Sequence, residues 1–128
     1  ADSRFSLLML EQGRAGKRFG FAWSNEPAPP LGGAYVPSLE HQRTSSGQAV
    51  RIRRTATGSY VVSFPGLARV GDATETVHVS PYGGGLFTCQ VQGWGNGSDG
   101  SSLDATVRCW NRGSGAPADT YFTILVLE

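Results

Sequence analysis

The sequence predicts an all-β fold, an antiparallel sandwich of about eight short strands. Three observations carry this. Apolar residues recur at a spacing of two in short runs bounded by turn residues, and convincing helix signals are missing. Glycine supplies 18 of 128 residues, about twice its usual ~7% share, as a chain with many tight turns requires. Two cysteines, Cys89 and Cys109, sit in two long strand-like runs joined by a Gly/Ser-rich loop.

Phe5 to Leu10 is a short apolar run. Lys17 to Trp23 alternates loosely, with Phe19, Phe21 and Trp23 on one face. Residues 24–48 form a long connection rich in Pro, Gly and Ser, for which Tyr35 and Leu39 are the natural anchors, since a bare loop of that length is uncommon in a compact domain. Val50 and Ile52 alternate with Arg51 and Arg53, and Thr57-Gly58 makes a turn. Tyr60, Val62 and Phe64 then alternate up to Pro65-Gly66, where proline ends pairing. Thr76 to Ser80 puts Val77 and Val79 on one face, and Thr76, His78 and Ser80 on the other. Tyr82-Gly83-Gly84-Gly85 is a turn, Phe87 to Trp94 and Leu103 to Trp110 are the longest strands, and Tyr121 to Leu127 is the last. This order of short strands and turns fits a jelly-roll or immunoglobulin-like sandwich, or a closed barrel.

The two long runs read as a hairpin with Cys89 opposite Cys109. The same register pairs Val91 with Val107 and Gly93 with Ala105 on a small, apolar face. It pairs Gln90 with Arg108, Gln92 with Thr106, and Trp94 with Asp104 on a polar one. Directly opposed strand residues come near enough for a disulfide. A disulfide implies an oxidising, extracytoplasmic compartment. Ala1 opens the chain without Met, as in a mature secreted protein or an excised fragment.

Residues 1–10 read closely like residues 118–127, with five of the ten pairs identical. A repeat array cut at a fixed point leaves such a tail in front of the next unit. Only one copy fills the native slot, and the other is an extra strand able to pair with a sheet edge through Phe5, Leu7 and Met9. The domain proper is then residues 12–128, preceded by a strand segment at 1–11.

Several stretches resemble a family of secreted repeat domains found in actinobacteria and related bacteria. They are Tyr35-Val36-Pro37-Ser38 with Ser45-Ser46-Gly47, residues 57–67, Val77-His78-Val79-Ser80-Pro81-Tyr82-Gly83, Cys89-Gln90-Val91 to Trp94, Val107-Arg108-Cys109-Trp110, and Gly115-Ala116-Pro117-Ala118-Asp119 to Phe122. The resemblance implies a tandemly repeated β domain, and it brings no catalytic residues with it.

Charge and motifs exclude much. With a net charge of +1, and Lys17 as the one lysine, nothing favours nucleic acid or an anionic membrane. No apolar run approaches the ~20 residues of a membrane helix. His41 and His78 stand without a recognisable nucleophile motif. Asp72, Glu75, Asp99, Asp104 and Asp119 are the candidates for a glycosidase carboxylate pair, but each sits where turns and strand ends normally place acids. The Asn96-Gly97-Ser98-Asp99-Gly100 loop offers oxygen ligands for calcium without a second adjacent carboxylate, and two cysteines with two distant histidines make no zinc site. No metal or cofactor is expected. Arg51, Arg53, Arg54 and Arg108 suggest a solvated basic strip. The ligand-contacting candidates are Trp94, Tyr35, Tyr82 and Trp23, because exposed aromatics stack on sugars or anchor interfaces, although Trp23 and Trp110 also suit a core. The expected function is a non-enzymatic extracellular protein-interaction or assembly module, with a carbohydrate-binding module or lectin as the alternative.

Overall fold

The computed structural model describes residues 17–72 and 74–128. The expected strand at 1–10, its pairing residues Phe5, Leu7 and Met9, and the boundary at residue 11 lie outside the described residues. Among the described residues nine strands form in chain order: β1 (Phe19–Ser24), β2 (Ala34–Tyr35), β3 (Gln42–Thr44), β4 (Arg51–Ala56), β5 (Ser59–Pro65), β6 (Thr76–Pro81), β7 (Phe87–Asn96), β8 (Ser102–Asn111) and β9 (Phe122–Leu127). They make two antiparallel sheets, one ordered β3-β1-β9-β6 and the other β2-β4-β5-β8-β7. The expected all-β sandwich is the fold found.

The core lies where the alternating positions of both sheets meet. β5 contributes Tyr60, Val62 and Phe64, β8 contributes Leu103, Ala105, Val107 and Cys109, and β9 contributes Phe122, Ile124 and Val126, all essentially without solvent exposure. β1 behaves otherwise. It turns Gly20, Ala22 and Ser24 inward and leaves its large residues Phe19, Phe21 and Trp23 on the outer face. The reason is space: a Cβ on Gly20 would lie 2.9 Å from Phe64 Cε1 and 3.0 Å from Leu67 Cδ1. The expectation that Trp23 fills the core is therefore corrected, and Trp23 is 39% exposed.

The connection over 24–48 is not bare. It carries β2, β3 and a 3-10 turn at Leu39–His41. Tyr35 anchors it as expected, packing against the core with its hydroxyl 3.1 Å from Ser24 Oγ. Leu39 does not, since it is 89% exposed. The second anchor is the buried Gln42, whose amide donates to Pro37 O and accepts from Val50 N.

Cys89 and Cys109 are opposite one another and disulfide-bonded. In the chain-entropy picture, a loop of about 20 residues makes such a link worth roughly 3 kcal/mol. The expected register holds for Gln90–Arg108 and Val91–Val107 and then slips. A bulge between Val91 and Gly93 pairs Gly93 with Thr106 and Trp94 with Ala105, not with Ala105 and Asp104. Inserting one residue flips every later side chain to the other face. Trp94 thus belongs to the inner face of the edge strand β7, where it is 40% exposed, and not to the polar face.

Candidate functional site

Aromatic side chains from four separate segments meet over the end of β1. Trp23 leaves the outer face of β1. His41, delivered by the 3-10 turn, stacks on it with ring centroids 5.1 Å apart and planes 25° apart. Tyr82, just after β6, lies 5.8 Å from Trp23. Tyr121, just before β9, lies 5.5 Å from Tyr82. Phe21 meets the edge of Trp23 at 6.1 Å. Backbone pairing sets this convergence, because β1 and β6 both pair with β9, so their ends come together. Trp23 and Tyr121 keep 39% and 42% of their surface exposed.

Polar groups frame the rings. Ser38 Oγ and Asn25 Nδ2 lie 2.7 Å and 3.2 Å from His41 Nδ1. Ser38 Oγ also reaches Glu40 at 3.4 Å. A serine against an imidazole is the contact of a nucleophile and its base. Here both residues belong to one turn, and among the described residues no carboxylate bonds the far side of the ring. The contact fixes the imidazole flat against Trp23. Beneath the rings, the Tyr35 hydroxyl meets Ser24 Oγ, and Tyr82 donates to Ser24 O at 3.4 Å. Burial raises the pKa of both phenols, so they remain protonated donors.

Of the four aromatic candidates, the structure brings together Trp23, Tyr35 and Tyr82, and leaves Trp94 elsewhere. The sequence marks neither His41 as a partner of Trp23 nor Tyr121 as a member of this group. No spacing signal links positions 23, 41, 82 and 121, because only the sheet order joins them.

Each acidic candidate with a resolved role is structural. Asp119 accepts from Arg54 Nε and Nη2 at 3.0 and 2.7 Å, from Gly58 N at 2.8 Å and from Tyr60 Oη at 3.1 Å. Burial pushes its pKa up, but the bonds from Arg54, Gly58 and Tyr60 outweigh that, and it falls below the usual carboxylate range. Burial and then the Asp119 charge push Tyr60 far upward. Arg54 is therefore not part of an open basic strip. Glu75, its side chain 2% exposed, pairs with Arg69 at 2.8 Å. The Arg69 hydrogen bonds hold Glu75 below its ordinary value against burial, with Trp94 as a minor contributor. Asp99 caps its own turn, accepting from Ser101 N, Ser102 N and Ser102 Oγ. Those bonds, the Ser102 backbone foremost, lower its pKa to about 2. Among the described residues no group of three or more His, Cys, Asp or Glu is placed to hold a metal. On the outer face of the five-stranded sheet, Arg51, Arg53, Ser63, Asp99 and Asp104 help to line an open cleft of about 240 Å³.

The fold and these surfaces define a disulfide-stapled antiparallel β-sandwich with an aromatic face on one sheet and a charged cleft on the other. Compared with known proteins, the chain matches no family model, no curated protein and no solved structure. Among the described residues no helix is long and apolar enough to cross a membrane.

Proposed function

We propose that this chain is a non-enzymatic, extracytoplasmic assembly module, a unit of the kind found in repeat arrays, whose copies associate through a terminal strand. One observation carries the reading. β9, the strand that residues 1–10 duplicate, sits inside its sheet with β1 on one side and β6 on the other, so both its edges are already hydrogen-bonded. The chain carries two such segments, and the sandwich of the described residues has one position for them. Main-chain pairing with another copy gives the spare strand a use, with affinity from the ladder and specificity from alternate side chains. The disulfide supports an oxidising compartment outside the cytoplasm.

Sedimentation velocity under non-reducing conditions tests this. The full chain is expected to associate as its concentration rises through the micromolar range, and the chain lacking residues 1–11 to remain a folded monomer. A full chain that stays monomeric at every concentration overturns the reading.

A second reading, a carbohydrate-binding module, is favoured by the convergence of Trp23, Tyr35 and Tyr82. Exposed rings such as Trp23 stack on pyranose faces, and the polar groups of His41 and Glu40 stand beside it to meet hydroxyls. It predicts that some glycan at millimolar concentration or below quenches tryptophan fluorescence and that Trp23→Ala abolishes the response. Silence across a broad glycan panel removes it.

A further inference from the structure

We infer that residues 1–11 are built to occupy the β9 position of this fold, so that two strands of one chain compete for one slot and the strand left over is offered to a second copy. This deepens the assembly reading and rests on it for the second copy. The competition itself stands on the chemistry of the slot.

The slot makes three demands. At its entrance it needs a carboxylate, because Asp119 satisfies Arg54, the Gly58 amide and the Tyr60 hydroxyl together. Along its length it needs three alternate apolar side chains, because Phe122, Ile124 and Val126 face the core at 0%, 0% and 2% exposure. At its exit it holds a second carboxylate, Glu128, whose Oε2 lies 2.9 Å from Arg18 Nη1. Displaced by a constant 117 positions, the N-terminal segment offers Asp2 for Asp119, Phe5, Leu7 and Met9 for Phe122, Ile124 and Val126, and Glu11 for Glu128. Alternating apolar residues recur readily in any β protein. Strand alternation does not require an aspartate three residues before them and a glutamate two residues after, each at the spacing where this fold uses a carboxylate.

Volume is kept at two of the three positions, and the third gains about one heavy atom. Phenylalanine is repeated, leucine replaces isoleucine, and methionine, the most adaptable of the apolar side chains, replaces valine. Ser6, Leu8 and Leu10 stand at the outer positions of Thr123, Leu125 and Leu127. The C-terminal copy holds the described position, and its Ile124 and Val126 suit a strand better than Leu7 and Met9 do.

The same chain can reach the slot. Leu127 pairs with Phe19, and Leu10 corresponds to Leu127. Residues 11–18, with Gly13 and Gly16 among them, then suffice as the loop of an antiparallel hairpin with β1, since no long span has to be crossed. Exchange would also rewrite the aromatic face. Arg4 stands where Tyr121 is, and the ring that lies 5.5 Å from Tyr82 would leave with the displaced strand.

A double-mutant cycle in the full chain tests the inference, read by near-ultraviolet circular dichroism, thermal melting and size-exclusion chromatography. Ile124→Asp places a charge at a fully buried β9 position. It is expected to keep a single cooperative transition because residues 1–11 take the slot. Leu7→Asp alone is expected to keep the single cooperative transition, because β9 still fills the slot, and to lose any association made through residues 1–11. The variant carrying both is expected to lose the near-ultraviolet signal and the transition altogether. The inference is overturned if Ile124→Asp alone unfolds as fully as the double variant, if Leu7→Asp alone unfolds, or if the double variant stays folded. An Ile124→Asp chain that is folded and monomeric shows refilling from within the chain, and a folded dimer or larger species shows refilling by a second copy. Refilling within a chain whose wild type never associates would remove the assembly reading and leave this one standing.

Discussion

Replacing Gly58 with alanine is expected to destabilise the domain by about 3–5 kcal/mol, enough to abolish folding if its total stability lies at the low end of the usual ~5–15 kcal/mol. Gly58 closes the β4–β5 hairpin at φ +68°, a conformation that costs a residue with a Cβ about 1–2 kcal/mol. Space is the larger problem. A Cβ there would fall on the Cys109 carbonyl oxygen and lie 2.8 Å from Ala118 N and 3.0 Å from Ala118 O. All three are backbone atoms, so no rotamer change relieves the clash, and forcing extra volume into a tight site costs about 1–3 kcal/mol or more. The same residue accepts from Cys109 N at 2.7 Å and donates to Asp119 at 2.8 Å, so any shift that admits the methyl loosens both bonds. Gly32→Ala is the control. It has φ +77° and nothing within 4 Å of the added Cβ, and should lose only about 1–2 kcal/mol. Urea denaturation of both variants gives the comparison, and equal midpoints would mean that strain, not the clash, sets the cost.

Gly58 also shows what could be read from the chain and what could not. The Thr57-Gly58 turn is plain in the sequence because it separates two alternating runs, and β5, β8 and β9 follow from the same period. The pairing of Cys89 with Cys109 follows from symmetry about a Gly/Ser loop. What surrounds that turn is invisible, since Asp119 lies 61 residues away from Gly58 and no local pattern connects them. The bulge after Val91 is hidden for a different reason. Gln92 and Gly93 fit either register locally, so nothing within the run marks the flip that turns Trp94 inward. For β1, alternation reveals two faces but not which one is buried. The large face looks like the core face until Phe64 and Leu67 are seen to fill the space over Gly20. The aromatic site needs four segments at once, so its residue types were legible and its membership was not.

Asp119→Asn is expected to cost about 2–3 kcal/mol near neutral pH, since an amide cannot replace a carboxylate that accepts from an arginine, a backbone amide and a phenol. The figure is kept low because 19% of the side chain still reaches solvent. The pH dependence separates charge from shape. Asp119 titrates below its ordinary range in the folded state, so its contribution is fully present above the unfolded value of about 3.9 and is lost as the pH falls through the folded one. Asparagine has no such titration. The gap between wild type and variant should therefore be widest above about pH 5 and close steadily below about pH 4. Glu75, also lowered, weakens both proteins alike in acid and drops out of the difference. A gap that stays constant down to pH 2 would assign the loss to packing instead. Chemical denaturation across that range, repeated with Arg54→Ala and with both changes together, completes the argument. Arg54 has Asp119 as its one ion-pair partner among the described residues, so removing both should cost less than the sum of the single changes, as coupled neighbours do. A strictly additive result would mean that Asp119 holds β9 in place through Gly58 and Tyr60 rather than through its ion pair.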